Sequence, residues 1–300
     1  MTILEKLNDM ETEEQLLYEP FSRKQWIEQR KEDRETAFRM ADDAAERCAT
    51  DERELVAVLD TMARFPQYSA GNILLIHAQM PTATMVRDYK AWKDIGAIIK
   101  KDEKGINIFE VAGEYVRKDG SIGTRYNLKK VFDVSQMANM RQKNTDIVKE
   151  PAMLLEALIS NSPCDVKMDR KKDTGYLKAE YDDSRREISI SMTGTPEDMF
   201  RETASAIVMA VLAREKSEDF RENSWRFASQ CGSYVLCKRY GIAFDEKSLG
   251  ALPEDFTRFG SSEVKEFLGQ VRYVSALLSQ GIEKELLKDL SKEEREKETV

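Results

Sequence analysis

The spacing of apolar and polar positions changes period several times along this chain, and each change marks an element. From Glu28 to Asp60 the period is helical, with Trp26, Ala37, Phe38, Met40, Ala41, Ala44, Leu55, Val58 and Leu59 on recurring faces; Thr50 before Asp51-Glu-Arg-Glu predicts a break and a new cap. Phe65-Pro-Gln-Tyr-Ser-Ala-Gly-Asn72 then leads into an apolar helix, Ile73 to Met80, and a short helix is expected from Tyr89 to Trp92. Beyond the basic turn Lys101-Asp-Glu-Lys-Gly105, two alternating runs, Ile106 to Arg117 and Gly123 to Val134, predict strands joined by Lys118-Asp-Gly-Ser. Periodicity is lost from Met137 to Glu150 and Pro151 follows, which predicts a linker.

The second half repeats the strand-then-helix order. Tyr176 to Tyr181 and Glu187 to Ser191 alternate around a hairpin turn, Asp182-Asp-Ser-Arg185. Thr195-Pro196-Glu197 supplies a cap, an early proline and an early acid for a helix carrying Phe200, Ala204, Ile207, Val208, Val211 and Leu212 at helical spacing. Residues 263–290 predict one or two amphipathic helices with Phe267, Val271, Val274, Leu277 and Leu278 on one face and a break at Gly281, before a solvated end at 291–300. The expected fold is α+β with two domains, each a small, mainly antiparallel sheet packed with helices, plus a C-terminal helical extension. Residues 1–137 form the first domain with its helical segment, 138–151 the linker, 152–250 the second domain and 251–300 the C-terminal helices.

Composition narrows the chemistry. The 300 residues include one histidine, His77, and four cysteines, with no Cys-x-x-Cys pair, so neither a His-rich catalytic centre nor a disulfide framework is available. Cys231 and Cys237 lie six apart on a predicted helix and point in different directions, as buried free thiols. His77, between Ile76 and Ala78, reads as a structural histidine. Nothing at the N-terminus resembles a signal peptide and no apolar run approaches the ~18 residues that span a bilayer, so a cytoplasmic protein without membrane contact is expected. The formal net charge is -8, unevenly distributed: residues 1–60 hold 9 Lys/Arg against 17 Asp/Glu, and residues 61–130 hold 12 against 7. The basic surplus coincides with the richest run of aromatic and turn residues, and for DNA a local field matters more than the whole-chain sum.

In zinc peptidases of the gluzincin type, a helix following such strands carries His-Glu-x-x-His, because residues four apart share a face and grip one ion. The order of a Gly-Tyr strand, a turn, an Ile-rich strand and Met199-Phe-Arg-Glu-Thr-Ala204-x-x-Ile207-x-x-Ala210, followed by the tail Tyr234-Val-Leu-Cys-Lys-Arg-Tyr-Gly-Ile242, resembles the C-terminal peptidase-like domain of ArdC-type antirestriction proteins of conjugative plasmids and transposons. The resemblance puts the metal-ligand positions at Ser205, Met209 and Gln230 and the base position at Ala206. A hydroxyl, a thioether and an amide make a poor site for zinc, so neither metal, cofactor nor catalysis is expected.

Farther toward the N-terminus, Tyr68, Ser69 and Asn72, then Trp92 and Gly96, then Lys101, Gly105 and Ile106, then Val131 to Gln136 follow the order of the ArdC N-terminal single-stranded-DNA-binding domain. That resemblance implies a DNA site drawn from Tyr68, Ser69, Asn72, Arg87, Lys90, Trp92, Lys93, Lys100, Lys101, Lys104, Tyr126, Lys129 and Lys130, in which cations track phosphates and aromatic faces take bases. Two of these have structural alternatives: Trp92 as a core anchor, and Asn72 as a helix N-cap. The function expected is a non-catalytic single-stranded-DNA-binding protein of mobile-element type with a pseudo-metallopeptidase scaffold. The rivals are a protein-interaction module, with a partner on the acidic N-terminal helices or the C-terminal domain, and an enzyme using an unrecognised carboxylate site.

Overall fold

The computed structural model describes residues 23–140, 150–169, 179–191, 194–215, 222–245 and 249–298. Residues 141–149 of the expected linker, 176–178 of the expected strand and the ends 1–22 and 299–300 lie outside the described residues.

Helix α1, Arg23–Thr50, runs to the predicted break, and Asp51 caps α2, Glu52–Arg64, by accepting from the Arg53 amide at 2.9 Å. The buried face of α1 is built from small side chains, Ala37, Ala41, Ala44, Ala45, Cys48 and Ala49, which lets neighbouring helices approach closely. Trp26, expected on an apolar face, instead points outward, 51% exposed, whereas Phe38, though 39% exposed, stacks on Phe109. Ser69 caps α3, Ala70–Gln79, through the Asn72 amide.

The first sheet comprises β1 (Val86–Asp88), β2 (Ile106–Val116) and β3 (Ile122–Asp133) in the order β1-β3-β2, all antiparallel, with the short helix α4 (Tyr89–Asp94) after β1. The outer edge of β2 faces α3, not another strand among the described residues. Two amides of α3 take that place: Asn72 donates to the Phe109 carbonyl at 2.9 Å and accepts from its N–H at 2.7 Å, and Gln79 makes the same pair with Asn107, both at 2.9 Å. Each side chain thus satisfies a donor and an acceptor that an unpaired edge would leave open.

At the other end of β3 the buried Asp133 carboxylate accepts from the amides of Thr84, Met85 and Ser135 at 2.7 to 2.9 Å. Gln136 returns the bond to the Asp133 amide and reaches the Lys104 carbonyl at 2.9 Å. One Asp-x-x-Gln step therefore ties the approach to β1, a 3-10 turn (Val134–Gln136) and the basic turn.

The second half contains α5 (Pro151–Ile159), a sheet of β4 (Asp165–Asp169), β5 (Ala179–Asp182) and β6 (Glu187–Ser191) in the order β4-β6-β5, and the long helices α6 (Pro196–Glu215), α7 (Glu222–Arg239) and α8 (Ser261–Glu298). β5 and β6 form the predicted hairpin; β4, parallel to β6, makes the sheet mixed. Helix α8 passes Gly281 without the predicted break. Glycine is present there because the helix meets Asn161: a Cβ would come within 2.2 Å of its Oδ1.

One apolar cluster gathers Leu55, Leu59 and Leu74 from the first half with Phe200, Ile207, Tyr234, Leu268 and Val271 from the second. Polar ties cross the same seam. The Tyr234 hydroxyl donates to Asp60 at 2.7 Å, Arg239 donates to the Ala63 carbonyl, and Lys265 pairs with Asp42. No helix of the described residues is long and apolar enough to cross a membrane.

Two substitutions test this packing. Asn72→Ala leaves both polar groups of Phe109 without their partner and is expected to lower stability by about 2 to 4 kcal/mol, read as a shifted urea midpoint with unchanged slope. Gly232 lies where α7 crosses α6, and an added Cβ would sit 2.8 Å from Cγ1 of fully buried Val208. Gly232→Ala is expected to cost about 1 to 2 kcal/mol despite alanine's ~1 kcal/mol helix advantage, and Val208→Ala in the same chain should give a loss smaller than the two single losses added.

Candidate functional site

Ser205, Ala206 and Met209, together with Gln230 from farther along the chain, line one cleft of about 600 Å³ between α6, α7 and the β5–β6 hairpin. The helical spacing accounts for the first three, since positions 205, 206 and 209 share a face of α6, and α7 brings Gln230 opposite. The Ser205 hydroxyl lies 3.3 Å from that of Ser229, which donates to the Arg226 carbonyl at 2.8 Å. A hydroxyl, a methyl, a thioether and a primary amide are the groups at these four positions, and that donor set does not fit zinc, which takes imidazole, thiolate and carboxylate.

Five carboxylates, Glu180, Asp182, Asp183, Glu187 and Glu202, also line the cleft, and Glu202 lies 3.8 Å from Arg201. Asp182 accepts from Ser184 and the Arg185 amide, Asp183 from the Tyr181 hydroxyl at 2.8 Å, and Glu187 pairs with Lys167. Arg201 pairs with Asp198 at 2.6 Å. Among the described residues no three of His, Cys, Asp and Glu come together as a metal-binding group. Thiols are no nearer to chemistry: burial pushes Cys48 and Cys237 each up to about 12, so neither is a thiolate at neutral pH. His77 is buried, with Nδ1 3.3 Å from Thr61 Oγ1 and Nε2 3.5 Å from Glu54; burial lowers its pKa against the opposing pull of Glu54.

The residues expected to touch DNA fall into three groups. Trp92 is in the core, 1% exposed, packed with Val134 and Met137 and donating from Nε1 to the Phe132 carbonyl at 2.7 Å, so it offers no face to a base. Ser69 and Asn72 are spent on the α3 cap and the β2 edge, and Asn72 is a clamp, not the cap. Tyr68 is half-buried against Phe65, and burial raises its pKa. Lys129 is neutralised by Asp88 at 2.8 Å and Glu110 at 3.4 Å, which raise its pKa, Asp88 first.

The second group is exposed and cationic. Arg87, lying over the Trp92 ring at 5.5 Å, stands with Lys90 and Lys93 on β1 and α4. Lys100, Lys101 and Lys104 stand on the basic turn, with Lys100 Nζ donating to the Ser135 carbonyl at 2.6 Å. Trp92 thus serves this group from below, as the anchor of the small core carrying both segments.

The third group borders α1. Lys130, exposed on β3, lines a cleft of about 170 Å³ with Asn107, Asn127, Arg30 and Arg34. Tyr126 is beside it: its carbonyl accepts from Arg34 at 3.4 Å, and its ring sits 5.7 Å from Phe109 and 6.4 Å from Phe38. The two arginines were not in the sequence-based set. The available signal was their fourfold spacing with the aromatics, Trp26-Arg30-Arg34-Phe38, inside a segment whose net charge is acidic.

Residues 44–149 match the family model of the N-terminal domain of anti-restriction factor ArdC. The uncharacterized protein pXO2-81 of Bacillus anthracis is 24% identical over 251 residues, covering 67% of this chain and 43% of the relative, so the chain spans under half the length of that curated relative. Two crystal structures of the antirestriction ArdC protein from plasmid R388 are also similar. The Mn(II)-bound form is 15% identical at a TM-score of 0.49, covering 72% of this chain and 85% of that one; the metal-free form is 14% identical at 0.47, covering 72% and 86%. The match across 44–149 takes in the Tyr68-Ser-x-x-Asn72 clamp, the Trp92 anchor and the Asp133-to-Gln136 knot, and through it that segment is a domain of the ArdC N-terminal type.

Proposed function

We propose that this chain binds single-stranded DNA through its ArdC-type N-terminal half, and that its C-terminal half is a non-catalytic scaffold of peptidase-like form. The biological setting that goes with this reading is antirestriction by a mobile element, within the cytoplasm of its host. The observation that carries the DNA reading is the set of exposed cations, Arg87, Lys90, Lys93, Lys101, Lys104 and Lys130, that make no ion pair among the described residues, on a chain whose net charge is -8. Such a local field attracts phosphate while the acidic remainder limits indiscriminate coating. The scaffold reading is supported by Ser205, Ala206, Met209 and Gln230, whose hydroxyl, methyl, thioether and amide are a poor donor set for zinc and include no carboxylate to act as base.

Fluorescence anisotropy with a labelled single strand is expected to give binding that weakens steeply with salt and exceeds binding to the matching duplex. A phosphate-led complex releases about 0.7 counterion per contact on a single strand, so affinity unchanged across a fourfold rise in salt overturns the DNA reading, as does no binding at low salt. For the scaffold, elemental analysis of protein purified without chelator should find well under one equivalent of zinc, and EDTA should leave Tm unshifted. A stoichiometric, chelator-sensitive metal overturns it.

A further inference from the structure

The outward stripe of α1 has an unusual order. Trp26, Arg30, Arg34 and Phe38 stand at successive fourfold positions, so aromatic, cation, cation and aromatic follow one another along one side of the helix over about 18 Å. The Arg30 guanidinium lies 4.6 Å over the Trp26 ring, which fixes its plane while leaving its N–H edge open. Arg34 is half-buried and oriented by the Tyr126 carbonyl. Phe38 stacks on Phe109 at 4.4 Å and remains 39% exposed. Across from the stripe, β2 and β3 present Asn107, Asn127 and Lys130, completing the 170 Å³ cleft with Arg30 and Arg34. The single acid lining that cleft, Asp33, accepts from Gln29 at 2.9 Å.

We infer that the groove between α1 and the β2–β3 hairpin is the seat of the single strand, with Arg30, Arg34 and Lys130 on phosphates and Trp26 as the stacking face at its entrance. This inference rests on the DNA reading and deepens it by naming the path. The chemistry is that of strand-tracking grooves, in which cations follow the backbone and every base has a face for an aromatic ring. The cations of β1, α4 and the basic turn supply field; the groove supplies alternation of ring and charge at fixed spacing. A length of about 18 Å holds about five stacked nucleotides at ~3.4 Å each. Trp26 is also distinguishable by light: Trp92 and Trp225 are buried at 1% and 7%, so quenching by an added strand reports on Trp26.

The test uses the full chain and a short fluorescein-labelled oligo(dT). Arg30→Glu, at an exposed position, is expected to weaken binding by more than tenfold and to make the salt dependence shallower by about 0.7 in slope per lost contact. Trp26→Ala is expected to abolish the quenching and weaken binding about tenfold. Lys284→Glu, an identical charge change on exposed α8, serves as the control and should bind as the parent does. A parent that binds while Arg30→Glu and Trp26→Ala bind equally well overturns the groove and leaves the DNA reading standing. A parent that does not bind overturns the DNA reading itself.

Discussion

The free edge of β2 is the constraint on which the N-terminal half depends. A long hairpin with one unpaired edge invites a further strand, and here α3 occupies that edge with two side-chain amides, Asn72 on Phe109 and Gln79 on Asn107. Helices cannot pair with sheets through their backbones, because their own donors and acceptors are already used; an amide side chain, carrying both, is the substitute. With α3 fixed to β2, α1 and α2 pack behind α3 and the hairpin is held against α1. The aromatic contact of Phe38 with Phe109 and Tyr126, and the cleft beneath Arg34, follow from that single docking.

A different interaction governs the C-terminal half. Helices α6 and α7 are joined by close apolar packing, with Gly232 against Val208 and with Ile207, Val211, Tyr234 and Cys231 within the core. The cleft sits on the outer side of that contact, so its lining carries little of the packing. Helix association there depends on dry surface, which is non-directional and indifferent to which polar groups line the opening.

Much of this was legible in the sequence, and what was not has physical reasons. The strands of both hairpins and the cap at Thr195 follow from periodicity and spacing, the break at Thr50 does too although the cap falls one residue later on Asp51, and the grouping of 205, 206, 209 and 230 came from the family resemblance. Gly281 misled because glycine signals both a helix end and a close approach, and only Asn161, 120 positions earlier, decides between them. β4 and α5 are short and border a stretch without periodicity. Trp92 could be read either way, since a ring that packs and a ring that stacks look alike in sequence; its burial against Val134 and Met137 places it in the core. Arg30 and Arg34 were hidden by counting charge per segment, whereas what places them in the groove is charge per face.

The core that joins Leu59 and Leu74 to Tyr234 and Val271, with the Tyr234–Asp60 bond across it, has a consequence for how such a chain evolves. Halves with separate cores can be exchanged between genes as modules. Here each half is the other's interior, so a recombination point between them would join two apolar surfaces that had not been shaped together. The C-terminal half would be retained under that rule whatever its chemistry, because its loss would strip the N-terminal helices of their inner wall.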